Sequence, residues 1–233
     1  MQKETKGGAP MQLGRMLELT PGLTAIIGGG GKTTLLYALA QELAKKARVI
    51  VCTSTHIYPP AHLPCLVSGQ EEVLSAALQK TNCICVGTRS ADGKFSAPAA
   101  PFEMLVRMAD YVLVEADGSK GRPLKAHAEH EPVVPGEAKQ TILVLGASGL
   151  DRPIIEAAHR PELYAQKLGV TPGIVATPAL AARLLKLEAL HTRVLVNQVE
   201  TDEDMARARS LAAELSCPVL AGALQKEKIQ CLY

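Results

Sequence analysis

Leu23-Thr24-Ala25-Ile26-Ile27 runs directly into Gly28-Gly29-Gly30-Gly31-Lys32-Thr33-Thr34, and an amphipathic stretch follows. The apolar run predicts a buried strand, and Leu35, Leu36, Leu39 and Leu43 share one helical face, so the glycines form a strand-to-helix turn. A phosphate-binding loop requires that order. Glycines let backbone N–H groups turn inward around a phosphate chain, where side chains would block the approach. The helix N-terminus adds partial positive charge. On this reading Gly28, Gly29, Gly30, Gly31, Lys32, Thr33 and Thr34 contact a nucleoside triphosphate, ATP or GTP. Lys32 points at the terminal phosphates from the first helical turn as an exposed charge, and the Thr33 hydroxyl ligates Mg²⁺. The full spacing G-x-x-x-x-G-K-[ST] would have its first glycine at Ile26, so the loop is a compressed version; an ordinary glycine-rich turn with a solvated lysine is the competing reading.

The rest of the chain is organised around that unit. Arg48–Thr53, Cys83–Val86, Tyr111–Val114, Ile142–Leu145, Val194–Val196 and Pro218–Leu220 read as short apolar strands. Helical patterns cover 33–47, 70–80, 161–168, 177–187 and 203–215, with Pro161 at a first helical position and Gly169 past an end. Continuously apolar strands between helices imply an α/β, three-layer P-loop NTPase-like fold with a mainly parallel sheet flanked by helices. Residues 1–233 are expected to form a single nucleotide-binding domain, with 1–20 as a peripheral segment. The Pro- and Gly-rich stretches 58–64, 92–101 and 118–136 read as loops over the carboxyl edge of the sheet, where ligands bind in such folds.

Composition excludes several classes. With 233 residues and 47% hydrophobic content the core is large, but aromatics are 3% with no Trp. A formal charge of +2 from 25 basic and 23 acidic residues gives no pull toward nucleic acid. The polar start is no secretory signal and no apolar run reaches membrane-spanning length, so a soluble, cytoplasmic protein with no membrane partner is expected. The six cysteines lack paired C-x₂-C spacing, and Cys52, Cys83 and Cys85, in or beside apolar strand-like runs, read as buried thiols. Cys83 and Cys85 belong on one face of a strand, and Cys231 is the candidate exposed thiol.

Tyr111-Val112-Leu113-Val114 delivers Glu115-Ala116-Asp117-Gly118. An acid at the end of a strand beside a phosphate loop can hold Mg²⁺, and a glycine three residues on can offer its N–H to a γ-phosphate. Glu115 and Gly118 therefore resemble the (D/E)-x-x-G switch of P-loop GTPases. Lys32, Glu115 and Asp117 are the candidate catalytic residues, and Thr33, Glu115 and Asp117 the candidate Mg²⁺ ligands. Lys120, Arg122 and Lys125 follow in a Pro- and Gly-flanked segment expected to be an exposed loop, and with His127, Thr55 and His56 they are candidates for binding an anionic substrate. His127, His130 and Glu131 have the chemistry for metal ligation or proton transfer, and equally for a solvated loop. Asn197-Gln198-Val199-Glu200 stands where GTPases carry N-K-x-D, which makes Asn197 and Gln198 candidate nucleotide contacts but leaves guanine selectivity open.

These motifs together resemble the YqeC family. The resemblance is carried by Val114-Glu115-Ala116-Asp117-Gly118-Ser119-Lys120-Gly121-Arg122-Pro123-Leu124-Lys125-Ala126 with Glu131-Pro132-Val133-Val134-Pro135 behind it. Gly28–Thr34, Thr53–His56, Val144–Gly146, Gly149–Asp151, His159–Glu162 and Val196–Gln198 add to it, over about residues 22 to 224. It implies a role in maturing selenium-dependent molybdenum hydroxylases, with a molybdopterin cofactor or a selenium donor as second ligand and the hydroxylase as protein partner. Mg²⁺-dependent hydrolysis or transfer of a triphosphate is the first expectation. A non-hydrolytic module that docks a nucleotide or a dinucleotide cofactor, and a small-molecule kinase, are the alternatives.

Overall fold

The computed structural model describes residues 12–232. Nine strands form the central sheet: β1 (Gly22–Gly28), β2 (Val49–Thr53), β3 (Cys65–Leu66), β4 (Cys83–Val86), β5 (Tyr111–Glu115), β6 (Ala138–Gly146), β7 (Arg193–Asn197), β8 (Val219–Ala223) and β9 (Lys228–Cys231). Their order is β9-β8-β7-β6-β1-β5-β2-β4-β3, and every pair is parallel except β8 with β9. Every residue of β1 is buried, as an apolar strand at the centre of a covered parallel sheet should be.

Successive side chains of the strands feed opposite layers. Ile26, Val49, Val51 and Leu113 pack with Leu35, Leu36 and Leu39 of α2 (Lys32–Leu43) and with Leu13 of α1 (Leu13–Met16). Leu23, Ile50, Val112 and Val114 face the other way, toward α3 (Glu71–Lys80) and α4 (Phe102–Met108). Ala25, Ile27, Leu143 and Val196 share that second face and pack on α5 (Ile154–Ala157), α6 (Pro161–Leu168), α7 (Pro178–Glu188) and α8 (Asp202–Ala212). The architecture is α/β, with a large, mostly parallel sheet between two helical layers.

Local signals explain most boundaries. Pro161 opens α6 and Gly169 closes it at φ 68°, while Thr177 caps α7 by accepting from Leu180 N. Helix α2 stops at Leu43, short of the expected Ala47. The short α4 and the antiparallel β9 were outside the sequence expectations, and β6 begins four residues before the expected Ile142. Residues 1–11 of the expected peripheral segment lie outside the described residues; of the remainder, Leu13 and Leu17 are fully buried. Cys83 and Cys85 are both buried against the α2 layer, and Cys231 is exposed. No described helix is long and apolar enough to cross a membrane.

Candidate functional site

Strand β1 ends at the carboxyl edge of the sheet between β5 and β6, and the glycines turn there into α2. Gly28, Gly30 and Gly31 have φ of 97°, 63° and 118°, a region that favours glycine. Space is the second constraint. A Cβ on Gly29 would lie 2.5 Å from the Arg122 carbonyl oxygen, and one on Gly30 would lie 2.2 Å from the Gly146 nitrogen. The loop is thus gripped between residues 122–123 and the end of β6. Its amides are not all turned inward as the motif suggests. Gly28 N donates to Asp117 Oδ2 (2.9 Å), Gly29 N to the Val144 carbonyl (2.8 Å) and Gly30 N to the Arg122 carbonyl (3.1 Å). The donors that remain belong to the N-terminus of α2, where Gly31 is the cap residue and no side chain caps the helix.

Lys32 is not the exposed charge expected from the sequence. It is 4% exposed. Its Nζ donates to the Gly28 carbonyl (2.7 Å) and lies 3.2 Å from Asp117 Oδ1 and 3.9 Å from Glu115 Oε1. The physical reason is charge balance: Glu115 and Asp117 are buried at the same strand end, and a buried carboxylate needs a cation. Thr33 stays exposed and its hydroxyl donates to Glu115 Oε2 at 2.7 Å. Burial raises the Glu115 pKa, with Lys32 and Thr33 opposing that. Burial also acts upward on Asp117, but His127, Lys32, Lys125 and the Gly28 amide together hold it at about 2. Asp117 Oδ1 is buried without a hydrogen-bond partner; its contact with Lys32 is one of charge, not of hydrogen-bond geometry.

The segment after Gly118 divides in two. Lys120 and Arg122 are exposed, and the Arg122 guanidinium reaches the Glu156 carbonyl. Lys125 and His127 are buried instead of lying in an exposed loop, because Leu124–Lys125 pairs in parallel with Ala158–His159 and dives under the loop. Lys125 Nζ donates to the Gly118 carbonyl (2.7 Å) and meets Asp117 (3.1 Å) and Glu131 (2.9 Å). His127 sits between carboxylates, with Nε2 at 2.8 Å from Asp117 Oδ2 and Nδ1 at 2.7 Å from Glu188 Oε2. Burial acts against its protonation, but these two acids raise its pKa above the ordinary value. Glu188 is tied in turn to Lys167, and Glu131 to Arg160. His127, His130 and Glu131 do not converge on one point, and no group of three potential metal-ligating His, Cys, Asp or Glu side chains occurs among the described residues.

Two clefts open at the carboxyl edge of the sheet. One, of about 500 Å³, is bordered by Gly31, Thr34, Ser148, Gln198 and Gln225. Asn197 also borders it, but its amide is engaged: Nδ2 donates to the Gly30 carbonyl (2.8 Å) and Oδ1 accepts from Leu224 N (3.0 Å). Gln198, at φ 62°, accepts from the Ser148 hydroxyl (2.6 Å). The other cleft, of about 840 Å³, lies beyond Gly118 and is lined by Ser54, Thr55, His56, Lys120, His130 and His159. Thr55 and His56 are thus brought together with Lys120, while Arg122, Lys125 and His127 are not part of that lining. Sequence reasoning missed Glu188, which lies 61 residues from the histidine it holds and carries no local signal. Ser54 and His159, by contrast, lie within the motifs Thr53–His56 and His159–Glu162 already singled out.

The family model described as YqeC protein matches residues 24–162, which include the glycine loop, Thr55, His56 and the whole segment from Glu115 to Arg160. The chain belongs to the YqeC family. The protein described as uncharacterized protein YqeC from Escherichia coli (strain K12) is 36% identical over 160 residues, covering 65% of this chain and 62% of that protein. The chain therefore spans less than two thirds of the length of this YqeC relative. The YqeC family match ends before Glu188 and Asn197, so two residues that anchor the loop region lie outside it.

Proposed function

We propose that the chain is a P-loop NTPase-like protein that binds ATP or GTP with Mg²⁺ at Gly28–Thr34 and hydrolyses it as an accessory to the maturation of selenium-dependent molybdenum hydroxylases. The observation that carries the nucleotide part is the uncapped N-terminus of α2, opening at the carboxyl edge behind a turn that only glycines can make. The hydroxylase part rests on the family resemblance alone.

Magnesium fits the oxygens present. The Thr33 hydroxyl and Glu115 carboxylate lie 2.7 Å apart, and Asp117 Oδ1 is buried without a hydrogen-bond partner. Bound there by Thr33 and Glu115, with Asp117 acting through water, the ion would neutralise phosphate charge. The amides of Gly31, Lys32, Thr33 and Thr34 bind the phosphates, and Lys32 exchanges the Gly28 carbonyl for a phosphate oxygen. Asp117 positions Lys32 and is itself held by Lys125 and His127. Gly118 offers its N–H to the terminal phosphate. Base contact falls to Gln198 and the 223–225 backbone, since the Asn197 amide is engaged.

The engaged amides of Gly28, Gly29 and Gly30 favour a second reading, a docking module that binds without turnover. Calorimetry with ATP, GTP, CTP and a molybdopterin dinucleotide, each with and without Mg²⁺, followed by phosphate release, tests both. Mg²⁺-dependent heat with ATP or GTP and release of phosphate supports the first; binding without release supports the second. No heat with any of the four removes both.

A further inference from the structure

The cleft beyond Gly118 has a charge pattern that the nucleotide reading does not use. Lys120 is exposed on its rim and has no ion-pair partner among the described residues. His56, His130 and His159 approach from three separate segments: the loop after β2, the loop after β5, and the strand residue paired with Lys125. The only acid in the lining is Glu131, and it is neutralised by Lys125 and Arg160. The Ser54 hydroxyl is buried without a hydrogen-bond partner. Burial lowers the His159 pKa, Lys125 and Arg160 add to that, and Glu131 opposes it.

We infer that this cleft binds the phosphate group of an organic phosphomonoester, held by Lys120, the three imidazoles and the Ser54 hydroxyl. A tetrahedral dianion presents three acceptor oxygens and takes donors from several directions, which a planar carboxylate does not. The volume of about 840 Å³ leaves room for an organic group beyond the phosphate and matches sites for metabolite-sized ligands. The inference goes beyond the triphosphate reading and stands without it, since none of its donors belongs to the glycine loop.

The imidazole C–H proton resonances of the chain's six histidines provide the test, followed by NMR during titration with ribose 5-phosphate and, in a second arm, inorganic phosphate. His62, which lies edge-on to Tyr37, and His191 serve as internal controls. Saturable shifts of His56, His130 and His159 with ribose 5-phosphate, competed by inorganic phosphate, are expected. Removing a charged donor in Lys120→Ala should weaken that binding about tenfold or more, and Ser54→Ala should weaken it by a smaller factor. No saturation by either probe, a response to inorganic phosphate alone, or an undiminished response in Lys120→Ala overturns the inference. Because the readout is the cleft's own histidines, a chain that binds ATP yet shows no such response refutes this inference and leaves the nucleotide reading standing.

Discussion

Replacing Lys32 with alanine separates two kinds of lysine, one that waits in solvent for a phosphate and one that is part of the folded core. In this structure it is the second kind. Lys32→Ala removes a charged hydrogen bond to the Gly28 carbonyl and the cation beside Asp117 Oδ1. Breaking a buried ion pair costs about 3–5 kcal/mol. Asp117 keeps Lys125, His127 and the Gly28 amide, so the low end, about 3 kcal/mol, is expected here. For a chain of this size that corresponds to a fall in Tm of about 6–12 °C. Urea and thermal unfolding without nucleotide measure it. Calorimetry on the folded variant should show triphosphate affinity reduced roughly 10- to 150-fold, from the loss of one charge-assisted bond. Stability within about 0.5 kcal/mol of wild type, the size of an ordinary surface substitution, would refute the argument that Lys32 is held by Asp117; unchanged affinity would refute the phosphate loop.

Two further outcomes follow from the same site. Glu115→Gln keeps the shape around Thr33 but removes the charge that would hold Mg²⁺, so Mg²⁺-dependent phosphate release should fall more than nucleotide affinity does; equal release by both proteins would make the acid structural. Stability should also decline on both sides of a plateau in pH. The Asp117 carboxyl, held at about 2 against 3.8 in the unfolded chain, contributes stability that is present above pH 4 and lost as pH falls toward 2. His127, raised above 6.5, contributes stability that is complete below pH 6.5 and lost as pH rises through its folded value. Urea unfolding of His127→Gln across pH should lack the alkaline decline, and an alkaline limb identical to wild type would show that His127 is not protonated between Asp117 and Glu188.

The part of the site legible in the sequence is the part built from neighbours in the chain. Strand, four glycines and helix announced themselves through hydrophobic period and turn chemistry, and Glu115 through its place at a strand end. What the sequence hid was the burial of Lys32, Lys125 and His127. A charged residue enters a core only when its counter-charges meet it there, and those come from Asp117, Glu131 and Glu188, spread over the chain. Composition around 119–131 reads as a solvated loop, since no local pattern reports that a two-residue strand at Leu124–Lys125 will pair with Ala158–His159. The reason for four consecutive glycines was similarly concealed. Turn geometry accounts for positive φ at three of them, but Gly29 is required by the carbonyls of Arg122 and Pro123, which only the fold places there.

The two borders of the central sheet bear on how copies of the chain behave when crowded. A wide sheet with parallel strands presents unpaired amides and carbonyls at each border, a template on which another molecule can add a strand. Here one border is the two-residue Cys65–Leu66, too short to seed such growth. The other reverses direction: Lys228–Cys231 runs antiparallel to β8, with Lys228 and Gln230 exposed along it. A charged, hydrated border of this kind disfavours fibrous stacking. A chain shortened to end before Lys228 would bare the apolar Val219–Ala223 strand, and with it a sticky rim.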